Sequence, residues 1–288
     1  MPHPIPSHET RDRDALRRHY ELERRLADRL RTAPRDVRQR LYAEVYDELF
    51  RSLPDHPQIA HGDDPAARAE LVRLQAALLE PYLTSSTTFV EFGPGNAALA
   101  VHVAPRVRSV YVVEASTVVL EADDLPDSVR VVDAAIDPLP MPDGSVDLAF
   151  SSHFIEHLHR DDVSAHLAEV ARLLAPDGAY VCVTPNRLYG PHDISRYFDD
   201  DATGLHLSEL TFDELASEMH TAGLHRVRGL RGVGMAPREV GLGPTSWLER
   251  FLMSCPAAVR RRVTALPERF GSHAPFRPLE QVAVIGRR

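Results

Sequence analysis

The chain has no lysine. All 33 of its basic residues are arginine, which excludes a phosphate-binding loop closed by lysine and any lysine Schiff base. Cysteine is almost as scarce: Cys182 and Cys255 are the only two and have no metal-like spacing, so neither a disulfide framework nor a thiolate metal centre is expected, and a reducing cytoplasm fits. Long hydrophobic runs are missing too. No stretch is long enough to span a bilayer, and the opening Met1-Pro2-His3-Pro4-Ile5-Pro6 reads as a polar, proline-rich tail and not as a signal peptide, so a cytoplasmic protein without membrane association is expected. Positive charge is in deficit, with 42 acidic residues giving a net charge of -9 and a pI near 5.9. Without a basic stripe interleaved with aromatics, polymeric nucleic acid is not an expected partner. What the 288 residues do have is enough apolar content, 43%, to bury one sizeable core and a helical appendage.

The most informative stretch is Phe89-Val90-Glu91-Phe92-Gly93-Pro94-Gly95-Asn96-Ala97-Ala98-Leu99-Ala100, an apolar strand running into a glycine turn and a helix. Gly93 and Gly95 can take backbone angles closed to other residues and let a ligand approach the main chain, and Ala97 and Ala98 let the helix pack close to a sheet. By itself the spacing G-x-G-x-x-A also suits a dinucleotide-binding fold or a plain tight turn. A second apolar run, Ser109-Val110-Tyr111-Val112-Val113-Glu114, ends in a carboxylate about twenty residues past the glycines, where an acid can accept from ribose hydroxyls. Further runs end at Asp133-Ala134 and at Ser151-Ser152, and a fifth covers Ala179 to Asn186, with helical segments between.

Together these pieces resemble the class I S-adenosylmethionine-dependent methyltransferases of the small-molecule group. The shared motifs are the V-E-F-G-P-G loop, the D-A-x-x-x-x-L-P segment from Asp133 to Pro140, the turn Glu156-His157-Leu158 and the L-x-P-x-G segment Leu174 to Gly178, where Asp177 stands in place of a common second glycine. The resemblance covers roughly Thr87 to Leu224, with Gln281 to Gly286 placed as the family's last strand. It implies an α/β fold: a Rossmann-like three-layer sandwich with a mostly parallel seven-stranded sheet, an antiparallel last strand and an N-terminal helical appendage. It implies S-adenosyl-L-methionine as cofactor, with the backbone of Gly93 and Gly95 facing its methionine part, Glu114 on the ribose, Asp133 and Ala134 at the adenine edge, and Ser151 with Ser152 near the sulfonium. Glu91 would order the loop or meet the cofactor's amino group. Each of these acids could instead serve only as a helix cap or loop residue.

The expected division is a helical extension or lid over residues 1–84 and a cofactor domain over 85–288, with a substrate loop at 186–208 and an insertion at 236–274. In the extension, Leu16, Tyr20, Leu26 and Leu30 mark one amphipathic helix, Val37, Leu41, Val45 and Leu49 a second, and Asp64-Pro65 starts a third that runs through Leu79. Leu53 to Gln58 reads as a rigid loop. Such leading helices could fold over the site, thicken the domain or form a homodimer face. In the insertion, Trp247, Leu248, Phe251 and Leu252 form an apolar cluster that could cap the substrate pocket or bury against the first helices, core packing being the expectation.

The histidines carry the remaining chemistry. His153-x-x-Glu156-His157 spells an inverted zinc-protease motif, which needs a helix to hold both rings on one face. Here it begins at a strand end, so that motif is rejected; no metal is implied, and the acidic trio of magnesium-dependent catechol-type relatives is not recognisable. Methyl transfer needs alignment and a base where the nucleophile carries a proton, so His153, then His206 and His192, are the candidate bases, and Tyr189, Arg196 and His157 the candidate substrate contacts. The expected activity is methyl transfer to a small-molecule acceptor, foremost a hydroxyl oxygen of a sugar or secondary metabolite. The alternatives are a nicotinamide-dependent oxidoreductase using the same glycine loop, and a non-catalytic scaffold that keeps the cofactor fold.

Overall fold

Apolar runs that are buried on both faces read as parallel strands sandwiched between helices, and the central strand β1 (Thr88–Phe92) is buried at every position, Glu91 included. Around it the computed structural model describes residues 5, 9, 11–53, 56, 64–116, 118, 120, 125–231, 237–256, 259–260 and 281–288. The strands β2 (Ser109–Glu114), β3 (Val129–Asp133), β4 (Val146–Ser152) and β5 (Leu174–Pro185) pair parallel in the order β3-β2-β1-β4-β5. Then β8 (Gln281–Arg287) runs antiparallel beside β5, followed by β6 (Arg228–Arg231) and β7 (Arg238–Val240). The expected antiparallel last strand is β8. The sheet has eight strands where seven were expected, because the start of the 236–274 insertion folds back on β6 as a hairpin.

Strand alternation sorts the core into two layers. Phe89, Val112, Leu148 and Phe150 face one side with residues of α3 (Pro65–Leu79) and α4 (Ala98–Val103). Val90, Ala149, Tyr180 and Cys182 face the other with residues of α5 (Arg160–Leu173) and α6 (Phe212–Thr221). Local signals set the helix starts: Asp64 accepts from the Ala66 and Ala67 N–H groups ahead of α3, and Thr211 with Glu214 forms a capping box on α6. The fifth strand begins five residues earlier than Ala179, at Leu174, with a register shift opposite Val146–Leu148. Asp177, expected in a turn, lies within this extension of β5 and is exposed.

The leading helices α1 (Arg13–Thr32) and α2 (Arg35–Ser52) pack on each other through Leu22, Leu26 and Leu30 against Val45, Leu49 and Phe50. Leu16 and Tyr20 instead meet Ile194 and Tyr197 of the long loop after β5. Val37 departs from its expected inward register and is 48% exposed, because the first turn of α2 extends past the end of α1's apolar face. Side chains fasten α2 to the sheet domain. Arg38, 3% exposed, donates from Nε and one terminal nitrogen to the Asp162 carboxylate at 2.7 and 3.0 Å, and Tyr42 donates to the same carboxylate at 2.8 Å. Gln39 donates to Asp137 and Ser116 to Asp47, tying the helix to the segments after β3 and β2.

On α7 (Gly243–Ser254) the expected apolar cluster divides. Leu252 is buried and Leu248 packs on the core, whereas Trp247 and Phe251 stack on each other 64% and 55% exposed. The buried Glu249 explains the helix's orientation, since its carboxylate accepts from Asn186 Nδ2 and from the Phe212 and Asp213 N–H groups. The rest of the expected insertion, 236, 257–258 and 261–274, and Pro54, Asp55, Pro57 and Gln58 of the expected rigid loop, lie outside the described residues, as do most residues of the proline-rich opening. Among the described residues, no helix is long and apolar enough to cross a membrane.

Candidate functional site

Strand order reverses between β1 and β4, which opens a crevice at their carboxyl ends. The glycine loop sits there. Gly93 has φ +62° and its N–H donates to the Val113 carbonyl; a Cβ on it would come within 2.5 Å of Phe154 Cδ2. Gly95 has φ +57°, and nothing lies within 4 Å of where its Cβ would be, leaving backbone open to the pocket. Both glycines line the pocket with Glu114, Ala115, Ser116 and Ala134. Glu114 accepts from the Ala115 and Ser116 N–H groups at 2.8 and 3.1 Å, and burial raises its pKa against those hydrogen bonds. A loop that exposes backbone, next to a fixed carboxylate, fits the expected cofactor, which offers hydroxyl donors for such a carboxylate to accept from.

The other expected cofactor residues distribute differently. Glu91 is buried behind the loop and accepts from the Ala100 N–H; burial lifts its pKa to about 8, and its Oε2 has no hydrogen-bond partner. Asp133 is exposed and caps its own turn by accepting from the Ala135 N–H at 2.8 Å, so only Ala134 of that pair reaches the pocket wall. Ser151 is fully buried, sharing a 2.6 Å hydrogen bond with the Tyr180 hydroxyl, because its strand position directs it into the layer under α5 and away from the wall.

Opposite the glycines the pocket is lined by His153, Phe154, His157 and His166 and by one stripe of α2: Arg35, Gln39, Tyr42, Tyr46 and Phe50. Among the expected bases, His153 reaches the pocket. It leaves β4 with φ +52°, a backbone strain seldom adopted outside glycine, and its Nδ1 lies 3.3 Å from Glu156 Oε1. Glu156 is fully buried, and Thr184 donates to its Oε2 at 2.8 Å. Burial alone would raise its pKa, but His153, His157 and His206 around it bring it down to about 2. His157 also lines the pocket; burial, with His206 adding repulsion, lowers its pKa to about 4, so it is neutral at pH 7. Burial does the same to His166, to about 4, where it packs edge-on to Phe92 and Phe154.

Four expected site residues are placed elsewhere. His206 lies behind His157, its ring 4.8 Å away and its Nδ1 2.8 Å from Glu209. The Nε2 of His192 lies 3.0 Å from the Asn186 carbonyl. Tyr189 packs on the core, and Arg196 is exposed with its guanidinium over the Tyr197 ring. The loop after β5 packs under α1 through Ile194 and Tyr197, which turns these side chains from the pocket. The stripe of α2 that lines the pocket is not the apolar one of Val37, Leu41, Val45 and Leu49, and the spacing of Gln39, Tyr42 and Tyr46 is its signal in the sequence. Tyr46 is notable there, with a buried hydroxyl that has no hydrogen-bond partner.

Residues 90–182 match the model of the methyltransferase domain. A protein of Mycobacterium tuberculosis named as a probable S-adenosylmethionine-dependent methyltransferase is 37% identical over 95 residues, 33% of this chain and 32% of that one. The chain thus aligns with about a third of the length of the curated relatives it matches. Two solved structures share the fold. One is the [4+2]-cyclase SpnF, at 19% identity and TM-score 0.53 over 87% of this chain and 96% of that chain. The other is the 1,6-didemethyltoxoflavin-N1-methyltransferase of Burkholderia thailandensis, solved with its namesake substrate and S-adenosylhomocysteine, at 19% identity and TM-score 0.50 over 86% and 88%. With its glycine loop, its strand order and its matched segment, the chain carries over residues 90–182 a segment similar to the methyltransferase domain, set in the fold that solved S-adenosylmethionine-dependent methyltransferases share.

Proposed function

We propose that this protein transfers a methyl group from S-adenosylmethionine to a small-molecule acceptor, foremost to a hydroxyl oxygen of a sugar or secondary metabolite. The observation that carries the proposal is the shared pocket, in which Gly93, Gly95 and Glu114 on one wall face His153, His157 and the polar stripe of α2 on the other. The cofactor supplies an electrophilic methyl on a sulfonium. The chain's own residues position the acceptor and manage its proton. His153 is the base, with Glu156 beside its Nδ1 to orient the ring and leave Nε2 for the acceptor's proton. His157 and the Tyr46 hydroxyl serve as acceptor contacts, and Phe50, Phe92 and Phe154 exclude water. Reduced thiols at Cys182 and Cys255 accord with a cytoplasmic location.

Calorimetric titration with S-adenosylmethionine, S-adenosylhomocysteine and NADH tests the cofactor first. Micromolar binding of the sulfonium pair without NADH is expected, whereas an NADH isotherm alone overturns the proposal in favour of an oxidoreductase. Release of S-adenosylhomocysteine on addition of hydroxylated acceptors tests transfer itself. That step is essential because a cyclase shares this fold, and cofactor binding without turnover on any acceptor is the result expected of a scaffold or of non-methylating chemistry. His153→Ala should lower turnover far more than cofactor affinity, and wild-type turnover in that variant removes His153 as the base.

A further inference from the structure

The sequence H-x-x-E-H lies in no α-helix: Ile155–His157 form a single 3-10 turn after β4, so His153 and His157 do not stand one α-helical turn apart. Folding instead brings a distant histidine to the pair. One ligand atom from each of Glu156, His157 and His206 lies within 4.8 Å of the others. We propose that these three side chains form a binding site for a divalent transition-metal ion of the zinc type.

Three features of the cluster point to a cation. The first is an unsatisfied buried oxygen. Glu156 is fully buried, Thr184 donates to its Oε2, and its Oε1 makes no standard hydrogen bond, with His153 Nδ1 3.3 Å away as its nearest ion-pair contact. Leaving such an oxygen without a partner is costly, and a metal ion would complete it. The second lone pair of Oε1 lets it keep the contact with His153.

The second feature is the state of the two imidazoles. The Nδ1 of His157 lies 3.2 Å from the Leu205 carbonyl, and that of His206 lies 2.8 Å from Glu209 Oε1. Each acceptor holds a proton on Nδ1, so Nε2 is the nitrogen left to bind a metal; at His206, where Glu209 and Glu156 favour the cation, the metal takes the place of the second proton. A carbonyl or carboxylate on the far nitrogen is the support that metal-bound histidines use. Glu209 is itself fixed by the His192 N–H at 2.7 Å.

The third feature is a contrast within the molecule. His19, Glu23 and His56 are as tightly grouped, but the Arg11 guanidinium, which can only donate, lies 2.8 Å from His19 Nδ1. That nitrogen must therefore accept, so Nε2 carries the proton given to Glu23 at 2.6 Å. His19 has no lone pair left for a metal and a cation beside it. This second cluster is closed by hydrogen bonds.

Two imidazoles and one carboxylate suit Zn²⁺, and Co²⁺ takes the same donor sets. Zinc ligands bonded at roughly 2.0–2.2 Å stand on the order of 3.3 Å apart, so small side-chain rotations close the site. His157 lines the pocket, which puts the ion at the acceptor wall, where an acceptor oxygen can take an open coordination position. That use of the site rests on the methyl-transfer proposal; the site itself does not.

The test is titration of chelator-treated protein with Co²⁺, followed by its visible absorption and by displacement with Zn²⁺. One Co²⁺ per chain, displaced by one equivalent of Zn²⁺, is expected. Glu156→Gln and His206→Asn should each weaken Co²⁺ binding by roughly 100-fold or more, whereas His19→Gln should leave it unchanged. S-adenosylmethionine affinity, measured on the same samples, reports whether the variants keep their fold. Nitrogen NMR of histidine-labelled wild-type protein avoids the variants: Zn²⁺ should shift the Nε2 signals of His157 and His206 and not those of His19. Absence of a stoichiometric Co²⁺ site, a site that survives both variants, or unshifted His157 and His206 signals overturns the proposal. A protein that binds the metal but not the sulfonium cofactor would fail the methyl-transfer proposal alone.

Discussion

The two walls of the pocket are built by opposite means. The cofactor wall is local: β1, its glycine turn and the end of β2 fall within a short stretch, and their main contributions are backbone conformation and Glu114, a carboxylate held by the N–H groups of its own turn. The acceptor wall is assembled from α2, the turn after β4 and α5, and its fastening is side-chain chemistry between distant residues; Arg38 and Asp162 are 124 positions apart. Backbone geometry written into a few consecutive residues is common to every chain that uses it. Side-chain pairs between remote elements can be changed one at a time, so the acceptor wall is where specificity can diverge while the cofactor wall stays fixed.

The sharpest way to break the comparison is to detach α2. Arg38→Ala leaves the buried Asp162 carboxylate without its guanidinium and should cost about 3–5 kcal/mol of stability in urea titrations. Adding Asp162→Ala should recover part of that loss, and a purely additive double variant would show that the pair does not hold the wall. Inside the cofactor wall, Glu91→Gln removes an acid whose folded pKa is raised to about 8. A buried acid of this kind binds its proton more tightly when folded, so wild-type stability falls as pH rises from about 4.5 to 8. The amide should therefore stabilise the protein by about 3–4 kcal/mol more at pH 8 than at pH 5, and parallel wild-type and variant stability curves would contradict it.

His166, at the acceptor wall, should give the opposite slope. Its folded pKa, about 4, lies below the ordinary 6.5, so its contribution is intact above 6.5 and is lost as pH falls toward 4. Between pH 7 and 4.5 this one group should remove about 2.5 kcal/mol, and His166→Gln should shrink the acid loss by that amount. The smallest effect expected is on affinity: Glu114→Ala should weaken S-adenosylmethionine binding by about 1–3 kcal/mol in calorimetry. Unchanged affinity would take Glu114 out of the cofactor site.

The contrast also explains what could be read early. The alternation of strands and helices, the Asp64-Pro65 helix start and the glycine turn followed from runs of apolar residues and their punctuation, which are properties of neighbours in the chain, whereas the antiparallel closing strand and the placing of Gly93, Gly95 and Glu114 at the cofactor were implied by the family resemblance. Asp133 and Ser151 failed to reach the wall because a strand-end side chain has two faces to choose between, and motif position does not say which. His192, Tyr189 and Arg196 were chosen for lying on the expected loop, yet that loop is drawn under α1 by Ile194 and Tyr197. Trp247 and Phe251 were assigned to the core on hydropathy, whereas the buried carboxylate of Glu249, bonded to Asn186 and the start of α6, fixes α7 so that they face solvent.

By itself the sequence determined the layered α/β sheet, the glycine turn that exposes backbone to a cofactor, and the absence of lysine chemistry, because periodicity, φ-permissive residues and composition act over a few positions or over the whole chain at once. Only the tertiary structure decided that α2 closes the pocket, that His153 and not His192 or His206 lines it, and that Glu156, His157 and His206 meet. Those outcomes depend on which buried charges find partners across long loops, and the cost of an unpaired buried charge is settled only when all the packed elements are in place.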